Sequence, residues 1–588
     1  MRDFARITLC AMLQRKTDGR YFMSFNLIGD RWLPCRRASG ARVWLAPHVI
    51  TSQFGDDPIL TLDFPRPDWN AAVTELLIGL LSATIPPHSA DDWAERWITP
   101  PPPGELQSAL APLTFAFDLD SEGPRCFQDL APLESAEPKS VASLLIDAPG
   151  DNTVKENKDL FIKRNGITAL SLPYAAAALI TLQTYAPSGG QGNRTSMRGG
   201  GPLTVLISPR RRNARLNTIS TLWELVWSNV RDYDEDAPPI DGDLPHDDRR
   251  WSRVFPWLAG TRQSKGDIPT LPIEHADLLQ VYFALPRRIR LDFEPETDTK
   301  CSLGGPTDGG CVRTYRQINY GTMYSGWRHP LSPYYVDKKN GLLPFHPQPG
   351  LVTYADWLAW WGLRDGQSAL NLAQWRERLY ALGAEVVDLQ ETRQHGLHAF
   401  GFDMDNMKAR GWLDERIPYF EPPQDAPPIW AQHFQATVTQ LVEAAKATAD
   451  QLKYELRRNQ FGKWDTEKQQ YKLLDTAPKD AFDEVATQLW AETQEAFVQS
   501  LDRLHQSDAQ HADRSVRTDF MKSLRSTALR LFDGACDIDS LADQNARRLV
   551  EARKGLVIAL SPGGKVAVVL GIAETKSKKG GGSRGGKS

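Results

Sequence analysis

The sequence predicts an α+β protein, with a large mixed N-terminal domain over residues 23–420 and a C-terminal four-helix bundle over 429–560. Two observations carry this. Up to about residue 420, short strand-like and helix-like segments alternate between proline- and glycine-rich breaks. From Ile429 onward, apolar residues recur at helical spacing in successive stretches with polar breaks between them. The 588 residues are ample for such an arrangement, since domains usually run to roughly 100–200 residues.

Residues 1–22 have a basic start and a short apolar patch, after which Arg15 and Lys16 return. They are expected to be a non-core extension rather than a signal peptide, with Met23 as an alternative start. FNLIGDRWLPCRRASGARVWLAPHVI (25–50) reads as a hairpin turning at Ser39 and Gly40. WNAAVTELLIGLLSATI (69–85) is too rich in Leu and Ala for a solvated surface, so it should be a helix buried on most sides. Short helices with proline stops follow over 86–113, and SLPYAAAALITLQTYA (171–186) is a second apolar helix ending at Pro187.

SGGQGNRTSMRGGG (188–201) cannot be a regular element, because its glycines free the backbone and only Met197 is apolar. PLTVLIS (202–208) is strand-like, NTISTLWELVWSNV (217–230) helix-like, and 232–248 an acidic, proline-broken surface loop. VYFALPRRIRLDFE (281–294) reads as a strand pair or one long bent strand, and 295–350 shows weak periodicity. Residues 355–366 and 371–383 are predicted as amphipathic helices, 384–405 as strand, turn, strand, and 421–428 as a linker.

Within the bundle, Phe434, Val438, Leu441, Val442 and Ala445 mark the first helix, and Phe482, Val485, Leu489, Phe497, Leu501 and Leu504 the second. Phe520, Leu524, Leu529 and Phe532 mark the third; Ala542, Ala546, Leu549 and Val550 mark the fourth. The basic, glycine-rich tail at 573–588 is expected to be disordered.

The net charge of −4 excludes a generally basic coat but not a local basic patch. Six scattered cysteines argue against a disulfide-stapled scaffold and for a reducing cytoplasm. No run approaches the roughly 18 apolar residues of a membrane span. No Walker A, complete GxGxxG, HExxH or GxSxG pattern occurs, which weakens the case for a nucleotide-driven motor, a zincin or a hydrolase.

Four places carry candidate chemistry. His395 and His398 with Asp403 and Asp405 could hold a divalent ion, although Gly396 argues against the helix that would align the imidazoles; plain loop polarity is the competing reading. Cys301 and Cys311, with His329 or His346, could form a zinc site, or be two partly buried thiols. The glycine loop carries Gln191, Asn193, Arg194 and Arg198 and is either a plain turn or a backbone cradle for phosphate or minor-groove edges. Arg210, Arg211, Arg212 and Arg215 crowd like charge into seven residues. That favours phosphate contact, the alternative being a solvated strand end paired with the acidic loop.

Several motifs in fixed order then resemble one family. They are FNLIGDRWLPC (25–35), APSGGQGNRTSMRGGGPLTVL (186–206), YFALPRRIRLDF (282–293), SGWRHPLSPYY (325–335) and GFDMDNMKARGWLDERIPYF (401–420). Together they resemble CasA, the large subunit of the type I-E CRISPR surveillance complex Cascade, over roughly residues 23–560.

The resemblance implies a non-catalytic subunit that recognises the PAM in double-stranded DNA from the minor groove, helps strand opening and R-loop formation, and recruits a separate helicase-nuclease. It implies the other Cascade subunits and the guide RNA as partners, and no membrane. The family's PAM-reading glycine would fall on Gln191, flanked by Gly190 and Gly192, a departure at the central position. Its duplex-splitting glutamine would fall on Asn406, with Met404 and Met407 beside it and Lys408 following. Its PAM-side lysine would fall on Ile318, leaving Arg316 as the nearest substitute. Its guide-contact loop would carry Lys155, Lys158, Lys163 and Arg164. Its cysteine cluster is reduced to Cys301 and Cys311, so no cofactor is expected, a structural zinc on these two being the alternative.

Overall fold

The computed structural model describes residues 16–17, 20–21, 24–159, 164, 166–187, 189–190, 192–211, 220–233, 248–266, 268–295, 301–306, 309–337, 339, 341–347, 353–357, 368–382, 393–405, 408–418, 428–506, 509–536 and 545–573. The chain divides into two compact units: Met1–Pro347 with Ser368–Arg416, and Gln348–Gln367 with Ile417–Ser588.

The first unit is mixed. Its centre is a pair of apolar helices, Pro67–Thr84 and Leu172–Tyr185, that lie against each other. Each has proline in its first turn, where a missing N–H breaks no bond. Between Asp68 and Ala83 only Asn70 escapes burial, which accounts for the Leu and Ala density of that stretch. Gly79 admits the turn Leu278–Tyr282 close to the first helix, since a side-chain carbon there would lie 2.5 Å from Tyr282 Cβ.

Three small sheets surround this pair. The hairpin Leu33–Arg37 and Arg42–Leu45 turns at the predicted Ser39–Gly40, and Ile59–Leu62 adds a third strand. Cys311–Ile318 pairs with Arg288–Glu294, Lys139–Ser140 and Leu170–Ser171. Thr204–Arg211 pairs with Arg393–Asp405, which neighbours Lys408–Pro418 in the same sheet.

Tryptophans fill the space beside the helix pair. Trp93 stacks on Trp97 at 5.4 Å, Trp223 stacks on Trp227 at 5.1 Å, and Trp375 meets Trp93 edge-on at 5.2 Å. The two stacks are joined reciprocally: Trp93 Nε1 donates to Trp227 O and Trp227 Nε1 to Trp93 O, at 3.2 and 2.9 Å. Buried indoles thereby keep their polar edge satisfied.

Several expectations need correction. Over 281–294 only Arg288–Glu294 is strand; Leu278–Tyr282 is a 3-10 turn begun by the Asp277 carboxylate, which accepts from Leu279 N. Pro286 separates the two, since it offers no ladder donor. Within the described residues 220–230 of the expected 217–230 helix, the helix spans Leu222–Trp227 and is started by a Thr221–Glu224 capping box. The stretch 295–350 holds the strand Cys311–Ile318 and the hairpin Tyr334–Asp337 with Gly341–Pro344. Half-burial on both faces of Cys311–Ile318 hides the alternation that would reveal it. Most of the helix predicted at 355–366, the first strand within 384–405, the 421–428 linker and the 574–588 tail lie outside the described residues.

The second unit is helical. Helices Pro428–Phe461, Asp483–Gln506, Ala509–Ala535 and Ala546–Ala559 pack together, and a hairpin not foreseen from sequence, Gly462–Asp465 with Gln470–Leu473, follows the first of them. Val550, expected inward, is 64% exposed, while its neighbour Leu549 is buried. Tyr354 stacks on Phe497 at 4.3 Å and shares a 2.8 Å hydrogen bond with Thr493. Gly555 brings two helices close: a side-chain carbon there would lie 2.1 Å from Glu455 Oε1.

One polar network lies inside the first unit. Arg198 Nη2 donates to Glu75 Oε2 at 2.6 Å, and Thr204 Oγ1 and the Tyr185 hydroxyl both donate to Glu75 Oε1, the former at 2.7 Å. Arg198 Nη1 donates to Thr204 Oγ1 and Ser332 Oγ at 2.9 and 3.0 Å. Burial and the Arg198 charge push the nearby His329 imidazole well below its usual range, so it stays neutral. Burial first, then the Glu75 charge, hold the Tyr185 hydroxyl protonated as a donor.

These buried charges can be tested. Glu75→Gln leaves Arg198 as an uncompensated buried cation and should lower stability by about 3–5 kcal/mol, read as a lower urea midpoint; a change under about 1 kcal/mol would contradict the network's role. Burial outweighs Arg458, 2.7 Å away, and pushes Glu455 up to about 7. Its folded value therefore exceeds the unfolded one, so its contribution is full below about pH 4.3 and is lost as pH rises through about 7. The melting temperature of Glu455→Gln should accordingly gain on the parent between roughly pH 5 and pH 8.

Candidate nucleic-acid interface

The glycine loop begins where the helix Leu172–Tyr185 runs out of chain that can continue it. Ser196 N donates to Ala186 O and Gly201 N to Tyr185 O, both at 3.0 Å, which folds the loop back on the helix end. Gly190 and Gly192 have φ of +92° and +78°, backbone that side chains rarely adopt. At Gly192 the space is also closed: a side-chain carbon would lie 2.9 Å from Asn319 Cβ, and its carbonyl accepts from Tyr320 N at 2.7 Å. Gly190 faces open space and is exposed.

The loop also meets the strand Arg393–Asp405. At Gly201 a side-chain carbon would lie 2.6 Å from Met404 Cγ and 2.6 Å from Phe402 O. Met404 stands two residues before position 406, so the strand end leading to that candidate position lies against the glycine loop. The structure thus joins two candidate segments that are distant in sequence. Gln191, Asn406 and Met407 lie outside the described residues; Lys408 is exposed.

The remaining candidates divide by what they already hold. Asn193 Nδ2 donates to Gly189 O at 2.8 Å, and its Oδ1 accepts from Gln317 Nε2 at 2.6 Å, so its amide shapes the loop. Arg194 is tethered to Ser264, through Nε to the hydroxyl at 2.7 Å and Nη2 to the carbonyl at 2.9 Å. Arg198 corrects the sequence expectation of a DNA contact: it is 3% exposed and its guanidinium is committed to Glu75, Thr204 and Ser332. Arg316 likewise serves the fold, through Asp292 at 3.2 Å and Ala136 O at 2.8 Å.

At the far end of the same sheet, register places Arg211 opposite Arg393 and Arg210 opposite Gln394. Sequence alone does not single out Arg393, because its partner strand lies far earlier in the chain. Arg212 and Arg215 lie outside the described residues.

The proposed metal constellations do not assemble. His395 and His398 stand on a strand, where an odd spacing alternates faces. His398 Nε2 bonds Asp414 at 2.7 Å, Asp403 pairs with Arg410 at 2.6 Å, and Asp405 sits at the hairpin end. Cys301 and Cys311 are buried beside Ala169, and burial raises both thiols. His329 belongs to the Glu75 network, and His346 Nδ1 lies 3.3 Å from Gly201 O, so neither completes a cysteine site. Among the described residues no cluster of three or more His, Cys, Asp or Glu could hold a metal ion.

Of the expected guide-contact residues, Lys155 and Lys158 are exposed and Lys158 pairs with Glu156. Arg164 is engaged by both oxygens of Asp159 at 2.6 Å, and Lys163 lies outside the described residues. Sequence reasoning missed Arg287, which is 7% exposed beneath the glycine loop and donates through Nη2 to Pro187 O. Burial pushes its guanidinium down to about 10. Among the described helices none is long and apolar enough to cross a membrane.

Comparison with known proteins identifies the fold and the family. The chain resembles the structure of Thermus thermophilus CasA (Cse1), with TM-score 0.61 and 18% identity over 93% of this chain and 99% of that one. It resembles Thermobifida fusca Cse1 with TM-score 0.63 and 17% identity, covering 94% and 99%. A chain of a CRISPR RNA-guided surveillance complex matches with TM-score 0.59 and 17% identity, covering 91% and 99%. At such identities these likenesses speak for the fold. The sequence model of CRISPR-associated protein Cse1 matches residues 26–531, most of the chain, and the protein therefore belongs to the Cse1 (CasA) family.

Proposed function

We propose that this chain is the non-catalytic large subunit of a type I-E CRISPR surveillance complex, reading the PAM of double-stranded DNA through its glycine loop. The observation that carries the reading is the close approach of Gly201 to Phe402 and Met404, which seats the loop against the strand end that precedes position 406. Minor-groove edges offer a degenerate pattern, so a reader there needs close backbone approach and a few donors. Exposed Gly190 supplies the approach. A bend next to the reader can enter the stack at the first pair, where unstacking costs a few kcal/mol.

The family membership and the likeness to a surveillance-complex chain support assembly with the other Cascade subunits and guide RNA. We read the C-terminal helices as the family's four-helix bundle over 429–560 and residues 23–420 as its PAM-recognition domain. Recruitment of the helicase-nuclease, local strand opening and a cytoplasmic setting belong to the same proposal. Gln191 remains the assigned central reader and Asn406 the wedge, with Lys408 beside it. Arg194 is kept as a loop contact, Arg210 to Arg215 as a phosphate-facing run, and Lys155 to Arg164 as the guide-side loop. A nuclease built on the His395–Asp405 region is not favoured, since His398 is hydrogen-bonded to Asp414 and Asp403 is paired with Arg410.

The test is binding of the assembled complex to duplexes with randomised flanks at fixed salt. Flank preference should appear with this chain and vanish without it. Gly190→Asn puts a side chain into open space on strained backbone; it should lower affinity for the preferred flank about tenfold, with the melting temperature falling by only a few degrees. Lys408→Glu should weaken all flanks alike and reduce the salt dependence. Flank-independent binding by the parent complex would reduce the chain to a scaffold.

A further inference from the structure

Tyr320 holds backbone that a tyrosine seldom adopts, and it does so against the glycine loop. Its φ is +64°, in the left-handed region that favours glycine. Other side chains share this backbone, among them Phe127 and Ile273. At Tyr320 it is held by a closed circuit of hydrogen bonds that starts and ends in the loop. Tyr320 N donates to Gly192 O at 2.7 Å, and Tyr320 O accepts from Ser264 N at 3.3 Å. Ser264 in turn accepts from Arg194, through its hydroxyl at 2.7 Å and its carbonyl at 2.9 Å. Arg194 stands two residues after Gly192, which closes the circuit. Beside it, Gln317 Nε2 donates to Asn193 Oδ1 at 2.6 Å. Backbone strain kept in place by its surroundings gathers at functional sites.

The circuit also fixes where the ring lies. A side-chain carbon on Gly192 would lie 3.2 Å from both Cε1 and Cζ of Tyr320, so the outer edge of the ring is packed on that glycine. The hydroxyl, one bond beyond Cζ, is therefore within about 6 Å of the loop backbone. Tyr320 is part-exposed, and its hydroxyl makes no hydrogen bond with a described residue. The hydroxyls of Tyr185, Tyr324 and Tyr334 are occupied inside the unit, by Glu75, Leu285 N and His329 N. A rigid ring with an open polar tip contacts a ligand without first having to be ordered.

We propose that Tyr320 is a further DNA-reading residue, its hydroxyl lying on the minor-groove edge of one base pair beside the pair faced by residue 191. It deepens the glycine-loop reading and rests on it. A neutral hydroxyl holds a phosphate less well than arginine or lysine does. On a base edge its dual character counts, because it both donates and accepts. It can meet the acceptors that every pair shows in the minor groove, and also the guanine N2 amino group that tells G·C from A·T there. Gly192 is thus required as the bed of the ring, and Arg194 acts through Ser264 to keep the tyrosine upon it.

The experiment uses the full chain assembled with its partner subunits and guide, and target duplexes carrying a G·C pair at each flank position in turn. Each is compared with its inosine·C counterpart, which lacks only the N2 amino group in the minor groove. With the parent chain, the exchange should alter affinity at the positions the loop reads, by about fivefold at the one facing Tyr320, the worth of one hydrogen bond. Tyr320→Phe removes the hydroxyl and keeps the ring on Gly192. It should bind both duplexes alike at that one position and respond as the parent does at the others. The slope of log K against log salt should stay the same, since no charge is lost. An equal loss on every duplex, the mark of a sugar or phosphate contact, overturns the base-edge assignment, as does a variant that keeps the parent's response throughout. If the parent complex shows flank preference while these tests fail, only the role of Tyr320 falls; if it shows none, the glycine-loop reading falls and Tyr320 with it.

Discussion

The Glu75–Arg198 pair is the interaction on which the first unit's geometry depends. Glu75 lies mid-way along the Pro67–Thr84 helix, and its two oxygens collect Tyr185 from the second core helix, Thr204 from the next strand and Arg198 from the loop between them. Ser332 joins through Arg198 and passes its own hydroxyl to Leu203 O at 2.8 Å. A buried ion pair of this sort contributes little net stability over an apolar substitute. Its effect is specificity: the segment between the helix and the strand has few apolar residues to position it, and the pair gives Arg198 one place to be.

The same pair bears on how the described part of the glycine-rich stretch is tied down. A segment so poor in apolar side chains needs few anchors once its ends and middle are tied. The helix end is held by Gly201 N to Tyr185 O, the middle by Gly192 O to Tyr320 N, and the far side by Arg198. Between these ties Gly189 and Gly190 remain exposed. Ordered backbone with open faces is what close approach to a duplex requires, because binding then orders little that was free.

Much of the fold is legible in the sequence because its elements advertise themselves locally. Leu and Ala density, a proline in the first turn and a proline after the end define both core helices closely. The Ser39–Gly40 turn does the same for the first hairpin. What escapes is set by distant partners. Cys311–Ile318 is a strand because Arg288–Glu294 and two short strands border it, and its own alternation is blurred. A strand reading of 281–294 gives too little weight to Pro286, which ends the turn and delays the ladder. In the candidate site, the loop is evident from composition, yet Arg198 and Arg194 look alike in the sequence. Only burial separates the arginine that shapes the loop from one that lies on it. Arg287 is invisible for the converse reason, since nothing in the sequence separates it from Arg288 and Arg290 in the same strand-like run.

The placement of Tyr354 has a topological consequence. By sequence it belongs to the middle of the chain, but it stacks on Phe497 and bonds Thr493 within the helical unit. The polypeptide passes between the two units at 347–348, at 367–368 and again at 416–417. The helical unit is therefore sewn in rather than appended. A C-terminal fragment beginning at residue 428 would leave the Phe497 ring without its stacked Tyr354 and Thr493 without its hydrogen-bond partner.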